Sequence, residues 1–340
     1  MSCDNEATRK LMNRGFSVAA LLLIVTLAAL AVERPVRIAF LDRGEVWIMP
    51  LGGAPQRQTS TGRRVEDFRY SPRGDYLAYS KRIKSDDSRP ICSIVIVDVT
   101  SRKIIKEITP SDGWIDIDKW RATALLYHSA AAMEVNGIFE FDAARRVIRE
   151  LDLGRGSYAL DSDMTPDGTL LAYVDDVGLG PTFQDRLHLV NTLTGDDVVE
   201  TSKRSVMSPA ISNKKDAIAF IEVLGDGRDA RDRLWIHRRG DRTTKMVNDA
   251  PVMPKSAGAG LSWSSDDRYV SINFGGRVTI VDVSESPPPR TFRGIDACWS
   301  DAGAMIVAST DGIDKVDVVT QRRERIVASG SRPQCLSAPL

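Results

Sequence analysis

An all-β fold built from repeated four-stranded sheets is predicted by three observations. One phrase recurs along the chain at spacings that suit one sheet per copy. Each copy carries period-two alternation on both sides of a turn, which is the pattern of strands rather than helices. After residue 33, no amphipathic helical stretch of useful length interrupts it. Sheets repeated in this way close into a β-propeller. The count developed below gives seven four-stranded blades, with six as the alternative.

The first 33 residues stand apart from the repeats. Arg9, Lys10 and Arg14 precede an uncharged run from Phe16 to Val32. Its 17 residues are near the short limit for a membrane-spanning helix. A basic flank before such a run is an export signal. Ala29-Leu30-Ala31 has the small-x-small form of a cleavage site. Residues 1–33 therefore read as an apolar helix, either a cleaved signal peptide or a retained transmembrane anchor, ahead of a propeller over 34–340. The propeller is expected to be periplasmic, secreted, or held at the inner membrane through residues 16–32 if these are uncleaved.

Composition narrows the function classes. Hydrophobic residues make up 42 % of the chain, enough for a sizeable core. Lys plus Arg and Asp plus Glu number 46 each, so no long-range field draws in polyanions. Without clustered cations, nucleic acid is not an expected partner.

The clearest copies of the phrase are Phe68-Arg69-Tyr70-Ser71-Pro72-Arg73-Gly74-Asp75-Tyr76-Leu77-Ala78-Tyr79 and Asp163-Met164-Thr165-Pro166-Asp167-Gly168-Thr169-Leu170-Leu171-Ala172-Tyr173. Weaker copies centre on Ile211, Trp263 and Trp299, and one with a shorter turn centres on Trp120. The anchors Tyr70, Trp120, Met164, Ile211, Trp263 and Trp299 are 50, 44, 47, 52 and 36 residues apart. Eight residues after five of them come Ala78, Ala172, Ala219, Ser271 and Val307. A third, alternating strand follows, as in Ser93–Val99, Gly137–Asp142 and Val278–Val283. A more polar fourth strand, such as Lys103–Thr109, blunts the outer edge.

With Ser-Pro-x-Gly or Thr-Pro-Asp-Gly leading into Leu-Ala-Tyr, the phrase resembles the TolB-like β-propeller repeat, a relative of the WD repeat. Ile38-Ala39-Phe40, leading to Glu45–Leu51 and Gly52-Gly53-Ala54-Pro55, adds to the likeness. The resemblance covers nearly all of 36–338. Asn213-Lys214-Lys215-Asp216 and Asp301-Ala302-Gly303 depart from the family's turn. The resemblance implies protein contacts in envelope assembly. It does not extend to the separate N-terminal domain of TolB.

Ring closure follows from counting. Residues 36–61 supply the second, third and fourth strands of a blade but not its first. Gln334-Cys335-Leu336-Ser337 echoes Ala297-Cys298-Trp299-Ser300, and Leu336 lies 37 residues beyond Trp299. The C-terminal tail is thus expected to supply the missing innermost strand, which removes two open edges. Seven blades over the 307 residues from 34 to 340 average about 44 residues each. Cys298 and Cys335 then occupy equivalent places in neighbouring blades. They are expected to be small apolar residues packed between blades, with a bridge as the alternative.

Catalytic and metal motifs are weak. His128, His188 and His237 match no metal spacing. Gly260-Leu261-Ser262-Trp263-Ser264 is half of a hydrolase elbow, but it lies in a repeat strand. Asp161, Asp163, Asp167 and Gly168 lack the order of a calcium loop and read as a hairpin turn. No cofactor and no metal site is expected.

The loops joining second and third strands carry the positive signal. They are short in blades one, six and seven and long in the consecutive blades two to five, all on one face. The expected partner-binding residues on this arc are Lys84, Asp86, Asp87, Arg89, Glu134, Phe183, Gln184, Asp185, Arg228 and Asp229. Mixed charge with an aromatic suits an envelope protein or peptide. The expectation is a non-catalytic binding module of the cell envelope. One alternative is a lyase or hydrolase with a site in the central channel, where the inner strands offer Asp67, Asp116, Asp118, Asp161 and Asp296. Another is a membrane-tethered sensor or assembly factor.

Overall fold

The computed structural model describes residues 36–85, 90–110, 113–121, 123–131, 134–151, 159–165, 167–176, 185–201, 206–224, 231–239, 243–250, 260–284, 288–301 and 303–336. The apolar segment 16–32 lies outside them. Among the described residues, no helix is long and apolar enough to cross a membrane.

Among the described residues, twenty-eight strands form seven antiparallel four-stranded sheets. Blade one contains β1 (Arg37–Asp42), β2 (Glu45–Pro50) and β3 (Gln56–Arg57). Blade two is β4 (Val65–Tyr70), β5 (Tyr76–Ser85), β6 (Pro90–Asp98) and β7 (Lys103–Ile108). Blade three is β8 (Trp114–Arg121), β9 (Ala124–Ala131), β10 (Glu134–Asp142) and β11 (Val147–Glu150). Blade four is β12 (Ala159–Met164), β13 (Leu170–Asp176), β14 (Asp185–Asn191) and β15 (Asp197–Thr201). Blade five is β16 (Val206–Ile211), β17 (Ala217–Leu224), β18 (Arg231–Arg238) and β19 (Thr243–Ala250). Blade six is β20 (Gly260–Trp263), β21 (Tyr269–Phe274), β22 (Arg277–Asp282) and β23 (Arg290–Arg293). Blade seven is β24 (Asp296–Trp299), β25 (Ala304–Ser309), β26 (Gly312–Asp317) and β27 (Arg323–Val327). The last strand, β28 (Ser331–Leu336), lies beside β1 in blade one, with Arg37 opposite Leu336 and Ala39 opposite Gln334. First strands touch in a cycle, from β4 through β8, β12, β16, β20, β24 and β28 back to β4.

A blade buries both faces, so its middle strands read as continuous apolar runs. Ile94-Val95-Ile96, Ile218–Ile221 and Met305–Ala308 are all buried. Among the described residues, seven hydrophobic clusters result, one at each boundary between blades.

The repeated phrase has a physical explanation in two parts. The Ser or Thr after the anchor closes the first hairpin. The Oγ of Ser71, Thr165, Ser212 and Ser264 accepts the amide five residues on, at 2.9–3.1 Å. The anchor itself reaches the preceding blade. Trp120 Nε1 donates to Arg69 O, Trp263 Nε1 to Ala210 O and Trp299 Nε1 to Ser262 O, at 2.9, 2.9 and 3.2 Å. These acceptor residues pair in register with Ala78, Ala219 and Ser271, the small central residues, each fully buried. The small side chain leaves room for the indole of the next blade.

One expectation changes. Cys298 and Cys335 form a disulfide, with Cα atoms 5.7 Å apart. They sit on the adjacent first strands β24 and β28, which brings them within bridging reach.

Four outcomes are expected in urea denaturation and thermal melts. Trp263→Phe leaves the Ala210 carbonyl buried without its donor and should cost about 1–3 kcal/mol. Ala219→Leu fills the indole slot and should cost about 1–3 kcal/mol despite added apolar area; a variant as stable as the parent would refute the slot. Deleting residues 330–340 removes β28 and should lower Tm by at least about 5 °C, well beyond the effect of trimming a frayed end. Reducing the bridge, which spans 37 residues, should remove about 3–4 kcal/mol on its own.

Candidate functional site

Among the described residues, five first strands depart from regular pairing. Register shifts fall at Val65/Asp67 in β4, Ile117/Trp120 in β8, Ala159/Asp161 in β12, Met207/Ala210 in β16 and, opposite β28, at Ala39/Leu41. A bulge re-aims the side chains around it. Two polar clusters result.

The first joins blades six, seven, one and two. Asp67 Oδ1 accepts Arg69 Nη1 and Arg332 Nη1, each at 2.8 Å, and also the Phe68 amide. Arg69 comes from β4 and Arg332 from the bulge of β28, where its φ is +49°. Asp296, on β24, accepts the Ala297 amide at 2.8 Å and Asn273 Nδ2 at 3.3 Å. Burial raises the Asp296 carboxyl pKa above its ordinary value despite the nearby charges of Arg69 and Arg332.

The second cluster joins blades three and four. Asp118 Oδ2 lies 3.1 Å from His128 Nε2 and accepts the Ser162 hydroxyl. Lys119 pairs with Asp163, whose other oxygen accepts the Ile211 amide at 2.7 Å. Burial raises the Asp118 carboxyl. The His128 hydrogen bond and charge, the Ser162 hydroxyl and the Lys119 charge outweigh it and hold the pKa below the ordinary value.

Of the five inner-strand acids, Asp67, Asp118 and Asp296 join these clusters. Asp116 and Asp161 lie on β8 and β12, and the Asp161 side chain is outside the described residues. Among the described residues, no group of three or more His, Cys, Asp or Glu could hold a metal ion. His188 stacks on Tyr173 with centroids 4.7 Å apart, and His237 is buried. Ser262 lies in β20 with its hydroxyl 2.8 Å from that of Ser271, away from any strand-to-helix turn. Asp163 serves Lys119 and Ile211, Asp167 pairs with Lys215, and Gly168 has the positive φ of a hairpin turn. An open cleft of about 720 Å³ lies beside the ion pair of Glu140 and Arg149 in blade three, apart from both clusters.

On the arc, Lys84 is exposed near the end of β5, and Glu134 and Asp185 open β10 and β14. Asp86, Asp87, Arg89, Phe183, Gln184, Arg228 and Asp229 lie outside the described residues. The strands flanking these loops are described and unequal. The second and third strands have 10 and 9 residues in blade two, 8 and 9 in three, 7 and 7 in four, and 8 and 8 in five. In blades one, six and seven all have 6.

Sequence reasoning missed Arg69, Arg332, Ser162 and the partnership of His128 with Asp118. Arg69 was legible, because it lies two residues after Asp67 and so on the same side of the strand. Arg332 was not, since the bulge in β28 breaks the alternation that would place it.

Together these features define a seven-bladed β-propeller whose inner wall carries two polar clusters. No protein-family model matches the sequence, and no curated protein matches it. Solved structures share the fold. TolB from Acinetobacter baumannii is 14 % identical over 89 % of this chain and 67 % of its own, with a TM-score of 0.51. A prolyl endopeptidase is 12 % identical over 99 % of this chain and 56 % of its own, with a TM-score of 0.55. The tricorn protease is 13 % identical over 86 % of this chain and 34 % of its own, with a TM-score of 0.51. The chain thus spans about half of one peptidase and a third of the other. At these identities the likeness is one of fold.

The Asp118 cluster gives a pH prediction. A carboxyl held below its unfolded value stabilises the fold above that value, about pH 4. That stability is lost as pH falls through the folded pKa. Asp118→Asn should therefore be less stable than the parent at pH 7, and the gap should shrink below about pH 4. Chemical denaturation from pH 7 to pH 3 measures it, and a constant gap would contradict the assignment.

Proposed function

We propose that this chain is a non-catalytic binding module of the cell envelope, docking a protein or peptide partner on the arc of blades two to five. The inequality of the strands supports this reading. Four consecutive blades carry longer second and third strands than the other three, so their hairpins stand higher on one face. A rigid ring that presents a continuous raised wall is the usual setting for binding loops. Ile83, 49 % exposed beside Lys84, puts an apolar side chain on that wall. The disulfide suits an oxidising compartment and so supports export through the N-terminal apolar segment. The protein contacts implied by the TolB resemblance agree with this reading. Cleavage after residue 31 would give a soluble periplasmic or secreted form. Retention of residues 16–32 would make the protein a membrane-tethered sensor or assembly factor.

A second reading, a lyase or hydrolase working in the channel, draws on the convergence of Asp118, His128 and Ser162. Against it, the Ser162 hydroxyl donates to a carboxylate rather than to the imidazole that would activate it.

The arc is tested by recovering partners from envelope extracts with the full chain and with a form whose four long hairpins are cut to two-residue turns. Loss of the partner from the shortened form alone is the expected result. Equal recovery by both forms would remove the arc from the account.

A further inference from the structure

We infer that the cleft between blades three and four is a binding site for a neutral polyhydroxylated ligand, a sugar unit. It lies on the face opposite the arc, so neither site depends on the other.

A shortened hairpin opens the cleft. In blade three, Trp120 pairs with Leu125, five residues on. In blades two, four and six the anchor pairs seven residues on, Tyr70 with Leu77, Met164 with Leu171 and Trp263 with Val270. Blade three therefore has two residues fewer on this face, and about 720 Å³ stands open there. Cavities that bind small molecules span about 300–1,000 Å³. The walls come from three turns. Thr123 belongs to the β8–β9 turn, Asp142 and Arg145 to the β10–β11 turn, and Asp167 to the β12–β13 turn.

The Asp142 carboxylate is only half engaged. Its Oδ1 caps the turn by accepting the amides of Ala144 and Arg145, at 3.0 and 3.1 Å. Among the described residues, Oδ2 has only Arg145 Nε near it, at 3.7 Å, which is beyond a hydrogen bond. Blade six has the closed form of the same arrangement. There Asp282 Oδ1 caps its turn through the Ser284 amide, and Oδ2 accepts Arg268 Nε and Nη2, at 3.0 and 2.9 Å. Arg268 and Thr123 are equivalent positions. The carbonyl of each accepts the amide one residue beyond its aspartate, from Val283 and Ala143 respectively. With threonine in place of arginine, Asp142 Oδ2 is left open to the cleft.

Donors stand beside this acceptor. Arg149 directs Nε and Nη2 at Glu140, each at 3.0 Å, which leaves Nη1 for a ligand. Arg145 is 84 % exposed, and its guanidinium makes no hydrogen bond among the described residues. The charges balance: Glu140, Asp142 and Asp167 are offset by Arg145, Arg149 and Lys215, which pairs with Asp167. No net charge is present to draw in an ion of either sign. A hydroxyl both donates and accepts, so neighbouring hydroxyls satisfy a carboxylate and guanidiniums together. Val147, 54 % exposed, offers the ring carbons of a sugar an apolar surface on the same wall.

Ligand-observed NMR on the full chain tests the site. The probes are the methyl glycosides of glucose, galactose, mannose and N-acetylglucosamine, with methyl glucuronide and methyl glucosaminide as charged counterparts. Saturable binding of at least one neutral glycoside, with both charged ones weaker, is the expected result. Asp142→Asn keeps the turn, because Asn191 Oδ1 caps the equivalent turn of blade four. It should weaken the sugar at least about tenfold, and Arg145→Gln should do the same. Thr123→Arg installs the blade-six arrangement and should abolish binding while Tm is preserved. No saturable binding of any neutral glycoside up to about 10 mM would overturn the proposal. So would tighter binding of a charged glycoside than of every neutral one, or binding unchanged in all three variants. Should a variant fail to fold by circular dichroism, the ranking of probes on the parent and the remaining variants decide.

Discussion

Each blade of this propeller depends on a hydrogen bond made by its neighbour. A four-stranded sheet with two apolar faces has no inside of its own, so each face must be covered by the next sheet. Apolar packing alone would let one blade slide on another, because it is non-directional. The indoles of Trp120, Trp263 and Trp299 remove that freedom by donating to one chosen carbonyl in the blade before. The fixed length of the indole sets the distance, and the small residue opposite that carbonyl makes room for it. Where no indole is present, other groups do the same work. Gln334 accepts the Tyr70 amide at 2.7 Å and donates to the Tyr70 carbonyl at 3.2 Å. Asp163 accepts the Ile211 amide. The repeat is thus conserved in geometry across boundaries where its residues differ.

The same trade explains turns that look degenerate. Gly74 and Gly168 occupy the left-handed position of their hairpins, at φ +74° and +71°. Lys215 and Asp267 hold the equivalent position at +62° and +61°, at the cost that a side chain incurs there. Each offsets it with contacts that glycine could not make. Lys215 reaches Asp167 and Thr169 in blade four. Asp267 accepts the amides of Asn213 and Lys214 and the Asn213 side chain, at 2.7–2.9 Å. A residue that breaks the local rule here fastens one blade to another.

The legible part of the sequence was what repeats. Anchor spacing, Ser/Thr turns and the small central residue gave the sheets their number and order, because each rests on local period-two patterning. The echo of Ala297-Cys298-Trp299 in Gln334-Cys335-Leu336 placed β28 in the same frame as β24. What stayed illegible depends on neighbours far apart in the chain. The Cys298–Cys335 bridge needs the distance between two first strands, which alternation does not supply. The pairing of Asp118 with His128 needs the register of β8 against β9 across a bulge. The arc was readable as loop length alone, and the strands on either side of those loops carry the same inequality.

The places where regularity fails are then the informative ones. Seven equal blades would give a symmetric ring with no preferred side. This ring has three kinds of exception. The hairpins of blades two to five are longer, five of the first strands are bulged, and one boundary is covalently joined. Bulges interrupt ladder hydrogen bonds, and a positive φ at Arg332 costs still more. The surrounding sheets can tolerate such local costs because packing on both faces over-determines the backbone. The bulge at Arg332, on the disulfide-linked strand β28, brings its guanidinium beside that of Arg69 on the one Asp67 carboxylate of the next blade. That shared counter-ion offsets the repulsion between the two cations. A scaffold stiffened by its neighbours is what permits that juxtaposition, and the unused N–H groups it leaves on the inner wall are the direct physical consequence.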